Sequence, residues 1–89
     1  MSVQSIYKYP LKAPGITEVL MPFGAKVLTA QYQSGELRLW AQCGVGLKPT
    51  KRVFEAIGTG WDIEVDGWVY VATVQDGAGY VWHVFEVPQ

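Results

Sequence analysis

The residues best suited to chemistry in this chain are one histidine, one cysteine and a run of three alternating carboxylates. A nucleophilic triad needs a hydroxyl or thiol, a base and a group that orients the base. His83 is the only histidine, and regular strand alternation sets it on one face with Val81, Phe85 and Val87, which reads as a core or interface position. Cys43 shares a face with Leu37, Leu39 and Ala41 and reads as packing. Hydrolytic chemistry lacks its parts, and the expectation is a non-enzyme without a cofactor. Asp62-x-Glu64-x-Asp66-Gly67 matches the first half of a calcium loop. Thr73, however, stands where the closing bidentate carboxylate belongs, and residues 68–71 already read as strand, so a solvated acidic turn is expected. One cysteine and one histidine fall short of a four-ligand zinc site. No metal is expected.

Recognition has more to work with. In Gly58-Thr59-Gly60 the glycines let backbone N–H groups approach an anion closely, although neither a Gly-Lys-Ser/Thr ending nor a following helix is present; a turn or bulge is the plainer reading. Lys51 and Arg52 lie on the preceding strand and Trp61 follows the glycines directly. A cation, exposed amides and a stacking ring together suit a phosphorylated nucleoside. Arg38 and Trp40, two apart on one strand face, project the same way, either as surface packing or as an interface. Tyr80 and Trp82 repeat that spacing. The candidate ligand-binding set is therefore Arg38, Trp40, Lys51, Arg52, Thr59, Gly60, Trp61 and His83.

The elements that must position these residues are strands. Period-two alternation recurs along the chain, and no window carries an apolar stripe of helical period with caps. A first strand over 5–9 stops at Pro10 and reads as an edge or pairing arm. A second covers 16–20, and a third over 26–33 turns the face of Leu28, Ala30 and Tyr32 inward. Ser34-Gly35 joins the third strand to a fourth over 36–43 in a tight hairpin. A fifth over 50–57 has mixed faces, residues 62–67 form a connector, and a last hairpin pairs 68–75 with 80–87 across Asp76-Gly77-Ala78-Gly79. Six to seven short strands predict an all-β fold, a small antiparallel β-sandwich or partly open barrel, in a single domain over 1–89.

Composition limits the partners. Eighty-nine residues, 49% hydrophobic and 13% aromatic, suffice for one core and no second. Homo-oligomerisation is expected, because it covers apolar surface that one small protomer leaves exposed. A net charge of −1 gives no footprint for general nucleic-acid binding or for an anionic membrane surface. The longest apolar run is far short of the ~20 residues of a spanning helix. A lone cysteine and the lack of a leader-like start point to a reducing compartment.

The blocks Ile6-Tyr7-Lys8-Tyr9-Pro10-Leu11, Met21-Pro22-Phe23-Gly24-Ala25-Lys26-Val27-Leu28, Leu39-Trp40-Ala41, Phe54 with Gly58-Thr59-Gly60, and Val81-Trp82-His83-Val84-Phe85-Glu86 occur in this order over nearly the whole chain. In this pattern the chain resembles a family of small proteins encoded by tailed bacteriophages and prophages. The resemblance implies a phage accessory protein in the host bacterial cytoplasm and carries no catalytic residues. For that class the expected role is countering host defence, by sequestering a nucleotide-derived immune signal in an oligomer. The alternatives are direct blocking of a host defence protein and a virion or assembly component.

Overall fold

A computed structural model describes residues 3–89 as seven strands: β1 (Gln4–Leu11), β2 (Gly15–Pro22), β3 (Lys26–Gln33), β4 (Glu36–Gly44), β5 (Pro49–Gly58), β6 (Val69–Gln75) and β7 (Val81–Val87). They form two antiparallel sheets, one ordered β1-β4-β3 and the other β2-β5-β7-β6, packed as a small β-sandwich. No helix among the described residues is long and apolar enough to cross a membrane.

Alternation decides which side chains meet between the sheets. In β4, Leu37, Leu39, Ala41 and Cys43 are all buried, while Arg38, Trp40 and Gln42 point the other way. The facing sheet contributes Val19 and Met21 from β2, Phe54 and Ala56 from β5, and Trp82 and Val84 from β7. Burying each large side chain among these contributes about 1.5–3 kcal/mol. Cys43 is fully buried, within 3.9 Å of the Tyr9 hydroxyl. Burial, reinforced by that contact, pushes the Tyr9 hydroxyl up to about 12. The Ser34-Gly35 hairpin is present, with both residues at positive φ (54° and 80°), as a two-residue turn matched to strand twist requires.

Three expectations are corrected. β1 continues through Pro10 to Leu11, because it is an edge strand and a missing N–H is tolerated there. Leu28 does not face inward: Val27 pairs with Ala41 and Thr29 with Trp40, so Leu28 is the extra residue of a bulge and is exposed, while Ala30 and Tyr32 keep the inward face. Of the two positions expected for His83, core or interface, the core one is corrected, because Trp82 and Val84 take the inward positions of β7. The partial burial of both faces expected of β5 is present: Phe54 and Ala56, with Arg52 beyond them, face the core, while on the other face Ile57 is buried and Val53 and Glu55 are half-buried.

Arg52 occupies the inward row of β5 where the core reaches its edge. Its Nε and Nη2 donate to the two oxygens of Glu86 at 2.7 and 2.8 Å, and Nη1 donates to the Ala25 carbonyl. Both side chains are 23% exposed. The hydrogen bonds it donates to Glu86 raise the guanidinium pKa against the opposing effect of burial. The fork ties β5 to β7 and to the turn between β2 and β3. Arg52→Met leaves the Glu86 carboxylate partly buried without its partner, and the expected cost is about 2 kcal/mol. Thermal denaturation followed by circular dichroism should show Tm lowered by roughly 10 °C. Adding Glu86→Leu should recover part of the loss, whereas an unchanged Tm in the single variant would refute the role assigned to the pair.

Candidate functional site

The site begins where β5 ends. Thr59 and Gly60 form a turn closed by the Trp61 N–H donating to the Gly58 carbonyl at 3.3 Å. This folds the Trp61 ring back over Gly58, so closely that a Cβ on Gly58 would lie 2.7 Å from the indole. The glycine is required by that approach. Trp61 meets Trp82 edge-on with centroids 6.0 Å apart, and Tyr80 stacks on Trp82 at 5.9 Å. Trp61 and Tyr80 remain 51% and 63% exposed, which leaves ring surface open to a ligand. Between them lies a cleft of about 470 Å³, lined by Gly58, Thr59, Trp61, Gly79, Tyr80, Val81 and Trp82.

Asp76 holds the other wall. Its Oδ1 accepts the amides of Ala78 and Tyr80 at 2.8 and 3.0 Å, and its Oδ2 accepts the Trp82 indole N–H at 3.3 Å. Partial desolvation acts to raise the carboxyl pKa, but the amide and indole donors outweigh it and hold the group below its ordinary value. One carboxylate thus fixes both the turn carrying Tyr80 and the ring on which Tyr80 stacks.

His83 lies beside the cleft on the outer face of the four-stranded sheet. The Thr59 hydroxyl is 2.7 Å from Nε2 and the Thr73 hydroxyl 3.1 Å from Nδ1, and the Tyr70 hydroxyl extends the chain to Thr73 at 2.8 Å. Both ring nitrogens are thereby engaged by hydroxyls. Among the described residues no group of three or more histidine, cysteine, aspartate or glutamate side chains is arranged to hold a metal ion.

The structure brings Thr59, Gly60, Trp61 and His83 together and separates the other four candidates. Lys51 and Arg52 are neighbours in a strand, so they point to opposite faces: Lys51 is exposed and 3.9 Å from Glu18, and Arg52 is held by Glu86. Arg38 and Trp40 lie on the outer face of the other sheet, with Arg38 paired to Glu36 at 2.6 Å. The cleft lining contains no cation. Gly58, Tyr80 and Trp82 join the site beyond the sequence-derived set. The signal for Tyr80 and Trp82 was their shared spacing with Arg38 and Trp40; Gly58 was visible only as part of a glycine pair.

The chain belongs to the family described as a domain of unknown function (DUF7352), whose profile matches residues 2–89. No curated protein and no solved structure matches it.

Gly58→Ala is expected to displace Trp61 while leaving the strands in place. The near-ultraviolet circular dichroism of the Trp61–Trp82 pair should collapse with the far-ultraviolet spectrum retained; an unchanged near-ultraviolet signal would contradict the packing of Trp61 on Gly58. Asp76 gives a prediction in pH. Its carboxyl sits lower in the folded than in the unfolded chain, so its contribution to stability is complete above the ordinary value near 4 and is lost as pH falls through the folded value. A Tm scan from pH 7 to pH 2 should therefore fall less steeply below about pH 4 in Asp76→Asn than in the parent chain.

Proposed function

We propose that this DUF7352 protein is a non-catalytic binding protein whose aromatic cleft takes the planar ring of a nucleotide-derived ligand. The observation that carries the reading is the pair of open rings, Trp61 and Tyr80, both packed on Trp82 and bordering one cleft. Base stacking on such rings contributes about 1–3 kcal/mol for each base. The Thr59 hydroxyl and the glycine-rich turns at 58–60 and 77–79 supply short polar groups at the rim. The chemistry of the remaining groups favours binding over turnover. Cys43 is buried, and His83, which meets the Thr59 hydroxyl at Nε2, is backed at Nδ1 by the Thr73 hydroxyl rather than by a carboxylate.

In the phage setting that the sequence resembles, such a protein sequesters an immune signal in the host cytoplasm and so counters defence. The reading expects an oligomer, because the cleft lining of one protomer offers rings and hydroxyls but no cation for phosphate. A second reading, direct blocking of a host protein, draws on the β1 edge, whose Ile6 and Tyr7 are exposed and which pairs with β4 on one side.

The test is a thermal-shift panel of cyclic and ADP-ribose-type nucleotides. A ligand present at 100 times its Kd should add about 2.7 kcal/mol to stability. Trp61→Ala and Tyr80→Ala should each weaken binding roughly 5- to 100-fold, whereas Lys51→Ala should leave it unchanged. Absence of any shift across the panel, in protein with a native circular dichroism spectrum, would overturn the ligand reading.

A further inference from the structure

Two surface features of this chain are complementary to one another. The first is the outer face of the three-stranded sheet. There the bulge at Leu28 pushes an aliphatic side chain outward beside Ile6 and Trp40, and with Thr29 and Gln31 these form a depression of about 300 Å³ on that face. Cross-strand register places Lys8 beside Trp40 and sets Lys26 in the row of Gln42 and Ile6, so the two lysines rise from opposite edge strands beside the depression, with the Lys8 ammonium donating to the Gln33 side-chain oxygen at 2.7 Å. Glu36, on the same outward row of β4, is engaged by Arg38. The face is apolar at its centre and positive at its margins.

The second feature is the connector between β5 and β6. Residues 62–66 alternate Asp62, Glu64 and Asp66 with Ile63 and Val65, the period of a strand, yet they lie in no strand and all five are exposed. Ile63 and Val65 are 38% and 45% exposed. The connector is anchored on the four-stranded sheet, by Trp61 on Trp82 at one end and Trp68 on Phe85 at the other. Within one chain it therefore belongs to the sheet opposite the basic face.

We propose that residues 62–66 of one copy dock on the Ile6, Leu28 and Trp40 depression of a second copy. Ile63 and Val65 meet the apolar centre, and the long stems of Lys8 and Lys26 reach around the rim to the three carboxylates. Charge selects the occupant: pairing two basic faces would oppose their lysines, whereas connector on face matches opposite signs. Because donor segment and acceptor face lie on opposite sheets, one pair of copies cannot make the contact reciprocally, so it is heterologous and repeats into a ring or an open chain. Since Asp62 follows Trp61, the same contact brings the second copy's lysines towards the aromatic cleft, where the single protomer has none. That last consequence rests on the ligand reading, and the contact itself does not.

Sedimentation velocity and native mass spectrometry, without ligand, test the contact. The wild-type chain should assemble at low salt and dissociate as salt rises. Lys8→Glu with Lys26→Glu, and separately Asp62→Lys with Glu64→Lys, should each weaken association at least about tenfold, and mixing the two variants should restore assembly. Zero-length carbodiimide coupling of the wild type should join Lys8 or Lys26 to Asp62, Glu64 or Asp66 between chains, a readout that needs no variant to fold. A monomer under all conditions, assembly indifferent to both charge reversals, a mixture that stays dissociated, or cross-links confined to other residues would overturn the proposal. A chain that assembles in this way yet shows no nucleotide shift would leave the contact standing and remove only the ligand reading.

Discussion

The space between the two sheets is one closely filled layer of side chains, and the rest of the molecule is arranged around it. Ala25, Ala30, Ala41, Cys43 and Ala56 fill the gaps between larger buried groups, Met21, Leu37, Leu39, Phe54, Trp82 and Val84 among them. Interiors pack at crystal-like density, so a layer already filled in this way has no room for further rings. Trp61, Tyr70 and Tyr80 are left exposed, and Trp40, Trp68 and Phe85 only partly covered. Aromatic surface at the sheet ends and outer faces is thus a direct consequence of how the core is filled. Contact with a ligand or a second chain is the remaining way to bury it.

Where the core runs out, the structure closes with polar groups that are fully engaged. The Arg52 fork on Glu86 and the Ala25 carbonyl ends one inward row, and Asp76 with its amide and indole donors ends another. The two devices differ in what they protect. Arg52 joins elements of the scaffold, and its loss is a stability effect. Asp76 sets the position of Tyr80 and Trp82, so its carboxylate links the protonation state of a turn to the shape of the cleft.

Strand count, the Ser34-Gly35 hairpin and the inward face of β4 were legible in the sequence because each follows from period-two alternation and turn chemistry, which are local. The misplacements have equally local causes. One extra residue at Leu28 reverses the face assigned to it, and alternation alone does not reveal a bulge. Lys51 and Arg52 were grouped with Trp61 through proximity in the chain, but adjacent strand residues point to opposite faces, and Arg52 has a partner 34 residues away. The aromatic part of the site was partly legible, in Thr59, Gly60 and Trp61. The partners supplied by the β6–β7 turn were not, because the pairing of Gly58 with Trp82 that brings them alongside is a long-range contact.

Separation of the cations from the rings has a structural logic. A strand-bound lysine or arginine beside Trp61 would need a neighbouring position on the same sheet face, and there β7 carries His83, held by Thr59 and Thr73. The rings are instead clustered at the start of β7, while Lys8 and Lys26 stand on the opposite sheet beside apolar groups that the core leaves out. In a single protomer these halves are distant in role: one offers stacking and the other offers charge. The proposed heterologous contact would unite them without altering either strand pattern, since it uses the acidic connector that directly follows Trp61. Selectivity for an anionic aromatic ligand would then depend on assembly, and a chain unable to assemble would retain ring stacking while losing the charge-dependent part of its affinity.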